Sequence, residues 1–336
     1  MNFGSRWRAD LGHFGQMARL INSPRRSCPG RETFGLARVA LVGTLLLALA
    51  GGAGAQVFRV ATFNVENYVL ESSPQRAAKS AESRAKVVES IASLRPDIIG
   101  LEEIGSTNAL LELQGALKRP GVDLPYWEEV NGYETNIHLA VLSRWPIVGR
   151  TAHTNETFLL NGRRCFVRRG FAEVEIEINS HYRLTVLAAH LKSRVPSAIE
   201  DEQEWRLQEA LLLRKIIEAR LAADPGRRLV VLGDFNDVKD SRTIRTIVGH
   251  GTRALFDTRP AERNETHSTT AGAWQSRPVT WTEYYAREDL YSRIDYILVS
   301  RALESDWLGQ ETYVLNLPDW GLASDHRPLV AGFMAR

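Results

Sequence analysis

The chain has 336 residues, 44% hydrophobic and 24% charged, with 25 Gly and 13 Pro; these are globular proportions that exclude collagen, coiled coil and low-complexity disorder. Its two cysteines, Cys28 and Cys165, cannot build a disulfide framework or a thiolate zinc site. The formal charge of +2 conceals a split: residues 1–55 carry seven Arg against Asp10 and Glu32, and the remainder carries 35 basic and 38 acidic side chains. The overall basicity is therefore no argument for a polyanionic partner.

In chain order, the first feature is an export pattern. A basic lead-in is followed by Val39 to Ala50, apolar apart from Gly43 and Thr44, and then by Gly51-Gly52 and Ala53-Gly54-Ala55-Gln56. These are the three parts of a secretory signal, with cleavage expected after Ala55. The alternative, a permanent anchor, is short of the ~20 apolar residues that a span needs. The lead-in is long, so translation starting at Met17 or later is a further expectation, and Arg25-Arg26 is a weak twin-arginine pattern. The reading is thus a cleaved segment 1–55, a single catalytic domain 56–336, and a secreted or periplasmic location. Loss of Cys28 leaves Cys165 alone, so no internal disulfide is expected.

Beyond Gln56, short apolar runs alternate with helical patterns, without repeats. Strands are expected over Phe58–Phe63, Ile98–Leu101, Leu139–Ser143, Gly170–Ile178, Leu184–Ala189, Leu229–Leu232, Ile294–Val299 and Leu329–Phe333. Helices are expected over Ser80–Leu94, Asn108–Leu117 and Ile199–Leu221; in the last, Ala210, Leu213, Ile217 and Leu221 recur at helical spacing before Pro225-Gly226. The class is mixed α/β. From Asp257 to Ser292 aliphatic residues are scarce, but Trp274, Trp281, Tyr284, Tyr285 and Tyr291 stand among Thr, Ser, Gly and Arg. A loop of that length is either packed surface or substrate-contacting. Asn155-Glu156-Thr157 and Asn264-Glu265-Thr266 fit glycosylation sequons.

Several apolar runs end in a residue of metal-ligand or acid-base type. Ala61-Thr62-Phe63 leads to Asn64, Ile98-Ile99-Gly100-Leu101 to Glu102-Glu103, Val186 to Ala189 to His190, and Leu229 to Gly233 to Asp234-Phe235-Asn236. The C-terminal part adds Arg293-Ile294-Asp295-Tyr296 and Ser324-Asp325-His326. Singly, each is explained as a turn cap or a satisfied structural residue. Together, oxygen and imidazole donors without thiolate describe a site for a hard divalent cation, Mg2+ rather than zinc. Strand ends of a helix-covered sheet converge at one edge, which lets such distant residues meet.

In these six motifs, and in their order from Phe58 to Phe333, the chain resembles the endonuclease/exonuclease/phosphatase superfamily. The resemblance implies a four-layer α/β/β/α sandwich of two mixed sheets and hydrolysis of a phosphate ester at one end. It also assigns roles: Asn64, Glu103 and Asp325 to the metal (Mg2+, with Mn2+ or Ca2+ as alternatives), and Asp234 and Asn236 to the attacking water and the phosphate. His326, oriented by Asp295, becomes the acid-base group, and His190 lies across the phosphate. Glu102, where many members have Gln, is expected to face solvent, and Glu66 is an additional candidate ligand.

The superfamily shares a reaction and not a substrate. A nuclease is the leading expectation, on export, the aromatic-rich loop, and Arg163-Arg164 and Arg168-Arg169 with Lys192 and Arg194. The alternatives are a sphingomyelinase-like lipid phosphodiesterase, for which Tyr313 to Leu317 with Trp320 is the candidate bilayer-facing hairpin, and an inositol or sugar phosphate phosphatase. No obligate protein partner and no membrane span after cleavage are expected.

Overall fold

The computed structural model describes residues 55–196, 201–263 and 278–336. The export segment apart from Ala55, Cys28, the expected helix start at Ile199, the Asn264 sequon and Trp274 lie outside them. The elements are β1 (Gln56–Tyr68), α1 (Ala81–Leu94), β2 (Ile98–Ile104), α2 (Thr107–Leu117), β3 (Tyr126–Val130), β4 (His138–Ser143), β5 (Ile147–His153), β6 (Thr157–Leu160), β7 (Arg163–Phe166), β8 (Phe171–Asn179) and β9 (Tyr182–Ala189). There follow α3 (Glu202–Ala223), β10 (Leu229–Asp234), α4 (Arg242–Val248), β11 (Phe256–Asp257), β12 (Glu283–Tyr285), β13 (Leu290–Ser292), β14 (Asp295–Val299), α5 (Arg301–Glu304), β15 (Trp307–Val314) and β16 (Leu329–Ala335).

Two six-stranded mixed sheets carry the fold, in the orders β15-β16-β1-β2-β4-β3 and β11-β14-β10-β9-β8-β5. Strand periodicity decides how they stack. On β1, Phe58 and Val60 join a core that also holds Val174, Val186, Val230 and Ile297 of the second sheet. The intervening Ala61 and Phe63 pack with Val87 and Ile91 of α1 and Leu110 and Leu113 of α2. The second sheet mirrors this, with Leu229 and Val231 packed against Leu213 and Ile217 of α3 and Ile244 of α4. Both sheets are apolar on both faces, one toward the other sheet and one toward helices, and the result is a four-layer α/β/β/α sandwich.

Helix ends follow local chemistry. Ser80, Ser106 and Asp201 cap α1, α2 and α3 by accepting the amides of Ser83, Ala109 and Glu204, which satisfies donors with no partner inside the helix. The stretch Tyr313 to Leu317 is no bilayer-facing hairpin: Tyr313 and Val314 are buried at the end of β15, paired with β16. No described helix is long and apolar enough to cross a membrane. Cys165 is a free thiol.

Candidate active site

Residues two apart on a strand share a face, so the buried series on each strand fixes where its last side chain points. On β1 the inter-sheet series Phe58, Val60 continues to Thr62 and Asn64. On β9 Val186, Ala188 continue to His190, and on β10 Val230, Leu232 to Asp234. On β14 Val299, Ile297 lead back to Asp295. The pairs β1/β2 and β9/β10 are parallel and end together, whereas β14 and β16 run antiparallel to them and start there. All six motifs therefore reach one end of the inter-sheet layer. Gly233 makes that convergence possible: it has φ +131°, and a Cβ there would lie 2.0 Å from the Ala189 carbonyl oxygen.

Asp234 is the centre of the arrangement. Its Oδ1 accepts the Asn236 amide at 2.9 Å, and its Oδ2 accepts Nδ2 of Asn64 at 3.1 Å and of Asn236 at 3.2 Å. The Nε2 atoms of His190 and His326 stand 3.4 Å and 3.8 Å from the same Oδ2. His326 turns its Nδ1 to Asp295 Oδ2 at 2.9 Å, so an N–H on Nδ1 donates to the carboxylate and Nε2 faces the pocket. Thr282 Oγ1 accepts the amides of Ile294 and Asp295 and pins the start of β14. Ser324 Oγ donates to the Asn64 carbonyl and accepts the His326 amide, tying the first motif to the last.

Burial and charge divide the labour. Burial disfavours the charged form of His326, but the Asp295 and Asp234 carboxylates outweigh it and hold the imidazole well above its usual range. His190 moves the other way, held well below by burial and then by the Arg169 and His326 charges. Burial also raises Asp234, to about 7, against the pull of His326. The pair shares its protons, with the proton residing on His326 while His190 stays neutral.

Asp234, Asp295 and His326 each bring a ligand-type atom within 4.8 Å of the others, but the His326–Asp295 hydrogen bond marks that trio as an acid-base unit. The oxygen donors that fit a cation lie at the pocket mouth. Glu103, turned to φ +66° where β2 breaks register, has Oε1 3.5 Å from Asn64 Nδ2 and accepts the Asn67 amide at Oε2. Burial, then the Asp325 carboxylate, then Glu103 push Glu66 up, with Lys79 opposing at 3.9 Å. Three crowded carboxylates beside an amide oxygen suit a hard dication. All border a pocket of about 440 Å3 that also reaches His190, Asp234, Asn236 and His326. A larger groove of about 1010 Å3 between α1 and α2 holds none of these groups.

Glu102 corrects the sequence expectation. It is completely buried, continues the inter-sheet series Ile98, Gly100, and accepts Thr62 Oγ1 at 2.8 Å. Burial, and then the Asp295 charge, raise it well above the usual carboxylate range and so favour its neutral form, which an amide would mimic. While the folded chain keeps this proton, the unfolded chain releases it near 4.5, so stability falls as pH rises above that value. Glu102→Gln is expected to keep kcat within about threefold and to flatten that decline, as read from Tm between pH 5 and 9. A hundredfold loss of activity would show an ionised Glu102.

Sequence reasoning also missed the groups that hold the His190 loop. Glu209 on α3 is fully buried; its Oε2 accepts the Lys192 amide at 2.7 Å, and its Oε1 accepts the Arg168 amide and Trp205 Nε1 at 3.1 and 3.2 Å. Arg169 and Asn236 donate to the Leu191 carbonyl at 2.8 and 3.0 Å, and Arg206 to those of Lys192 and Ser193. Arg194, at the mouth, pairs with Glu283 and bonds Ser292 Oγ. The one available signal for Glu209 was a carboxylate next to Ala210 on the apolar stripe of α3.

The model of the Endonuclease/Exonuclease/phosphatase family matches residues 61–326, spanning every motif from Ala61 to His326. The chain belongs to the endonuclease/exonuclease/phosphatase family. Solved structures with the family fold overlie it at low identity. Truncated TDP2 of Caenorhabditis elegans is 17% identical with a TM-score of 0.55, covering 83% of this chain and 98% of that one. The human Nocturnin catalytic domain, with bound sulfate, is 17% identical at 0.54, covering 83% and 97%. Sphingomyelinase C of Streptomyces griseocarneus is 17% identical at 0.52, covering 83% and 99%. Such likenesses show the fold alone, and no curated protein matches the sequence. Membership in the endonuclease/exonuclease/phosphatase family implies a phosphoester hydrolase.

Proposed function

We propose that the protein is an exported, divalent-metal-dependent phosphodiesterase that cleaves nucleic acid. The observation that carries the hydrolytic reading is the 2.9 Å His326–Asp295 pair facing Asp234, Asn236, Asn64 and His190 in the pocket that Glu103 borders. Glu103, Asp325, Asn64 and Glu66 would hold the cation, Mg2+ or in its place Mn2+ or Ca2+; when bound it supplies neutralisation of charge on the phosphate. Asp234 and Asn236 align the water with the phosphorus, as their mutual hydrogen bonds fix both side chains. Neutral His190 donates a hydrogen bond to a phosphate oxygen. His326, protonated and held in one orientation by Asp295, stabilises the developing charge or protonates the leaving oxygen.

The substrate choice rests on what surrounds the pocket. The segment that a lipid enzyme would expose, Tyr313 to Leu317, begins as strand core, whereas Arg194 and Tyr285 line the pocket and offer a cation and a ring to a nucleic acid. The deciding panel is plasmid DNA, single-stranded DNA, RNA, sphingomyelin, inositol phosphates and bis-p-nitrophenyl phosphate, each with Mg2+, Mn2+, Ca2+ or chelator. Chelator-sensitive cleavage of nucleic acid, abolished by Asp234→Ala and His326→Ala, is expected. Sphingomyelin turnover with intact nucleic acid would move the protein to the lipid class, and no turnover of any diester would end the phosphodiesterase reading. N-terminal sequencing of exported protein should find Gln56 first.

A further inference from the structure

Among the described residues the β6–β7 hairpin pairs with no other strand and joins neither main sheet. Its register is Thr157↔Phe166, Phe158↔Cys165 and Leu159↔Arg164, so Leu159, Arg164 and Phe166 share one face and Phe158 lies on the other. Phe158 is buried and meets Trp205 of α3 edge-on at 5.3 Å, which fastens the hairpin to the body. The outward face keeps Leu159 at 68% exposure and Phe166 at 38%. Phe166 stacks on Tyr133, itself 69% exposed, with ring centres 5.2 Å apart and planes 5° from parallel.

This pair adjoins the active site. Glu134, the next residue, forms ion pairs with Arg169 at 3.3 Å and Arg76 at 3.2 Å, and its amide donates to the Arg168 carbonyl. Arg76 in turn stands 4.0 Å from Glu103, and Arg169 holds the carbonyl next to His190. Among the described residues no carboxylate pairs with Arg163 or Arg164, both exposed. An open pair of parallel rings with the Arg164 guanidinium on the same face of the hairpin offers a flat surface for a nucleobase and a charge for a neighbouring phosphate.

We propose that Tyr133, Phe166 and Arg164 form a docking platform for single-stranded nucleic acid, on which a base flanking the scissile phosphate stacks. The assignment deepens the nuclease reading and rests on it. A base inside a duplex has both faces covered and cannot use the platform, so it favours unpaired strands. A bilayer is the poorer occupant because the hairpin turns at Asn161-Gly162, both at positive φ, as a two-residue turn requires. Its tip is therefore polar and followed by Arg163-Arg164, with the apolar groups on the flank.

The test compares wild type with Tyr133→Ala, Phe166→Ala and Arg164→Gln on a single-stranded oligonucleotide, the matching duplex and bis-p-nitrophenyl phosphate, all with Mg2+. The two aromatic variants should raise KM for the single strand roughly tenfold and leave the duplex and the small diester within twofold. Arg164→Gln should lower the salt slope of single-strand binding by about 0.7. Wild type that cleaves the single strand with a KM unmoved by either aromatic variant would overturn the platform alone. Turnover of the small diester without any cleavage of nucleic acid would instead overturn the nuclease reading and the platform with it. Co-sedimentation with phosphatidylcholine–sphingomyelin vesicles, lost in the aromatic variants while the single-strand KM stays constant, would assign the face to a membrane.

Discussion

Asp295→Asn should lower kcat about 10^3- to 10^4-fold on whichever diester the protein turns over, with KM changed less than threefold. The carboxylate does two things for His326: it accepts a hydrogen bond from Nδ1–H, with N and O 2.9 Å apart, and it favours the imidazolium. An amide in its place can keep only one of the two. With its oxygen toward Nδ1, it points an N–H into the position of Asp295 Oδ1, a buried atom that has no partner. With its nitrogen toward Nδ1, it donates to a ring nitrogen that must then be unprotonated, which confines the single proton to Nε2 and forbids the imidazolium. Either way the charge is gone. Single-turnover rates against pH check this, and activity within tenfold of wild type would mean that the His326–Asp295 pair is structural.

The second large effect is expected behind the site, at Glu209. Both of its oxygens accept, Oε2 from the Lys192 amide and Oε1 from the Arg168 amide and the Trp205 indole. Gln can accept at only one end, so Glu209→Gln leaves a buried donor facing a donor. The expected cost is about 1–3 kcal/mol, seen as a Tm lower by several degrees. The His190 loop then loses a hold two residues from the imidazole, which should reduce kcat roughly 10- to 100-fold with KM nearly unchanged. A Gln variant with wild-type kcat but lowered Tm would confine Glu209 to stability. Equal kcat and equal Tm would mean that the Lys192 and Arg168 amides find other acceptors.

What the sequence disclosed, and what it hid, divides along a physical line. Long apolar runs on β1, β9, β10 and β14 were legible because both faces are buried, and their polar ends stood out against them. The short strands β3, β6, β7, β12 and β13 were not, since each has at most five residues and is largely half-exposed, and the longest apolar run among them is Phe158-Leu159-Leu160 of β6. Glu102 was misjudged although its inward direction was implicit in the series from Ile98; two adjacent acids suggested a loop, and it is the register break at Glu103 that turns the second one outward. Glu209 and Thr282 accept backbone amides of distant segments, and Ser324 donates to the distant Asn64 carbonyl; no local pattern encodes partners of that kind.

The acid-base and phosphate-aligning groups are divided between the two sheets: Asn64 and Glu103 ride on one, His190, Asp234 and Asp295 on the other, and the layer between the sheets is mainly apolar, with few polar links such as Asn64–Asp234 and Tyr182–Asp306. The reactive mouth therefore works like the jaws of tongs whose hinge is the greasy layer between them. A slip of less than an ångström along that layer would part the Asn64–Asp234 contact without unfolding a strand. On warming, or when Val60 or Val230 is trimmed, catalysis should fade before the fold does.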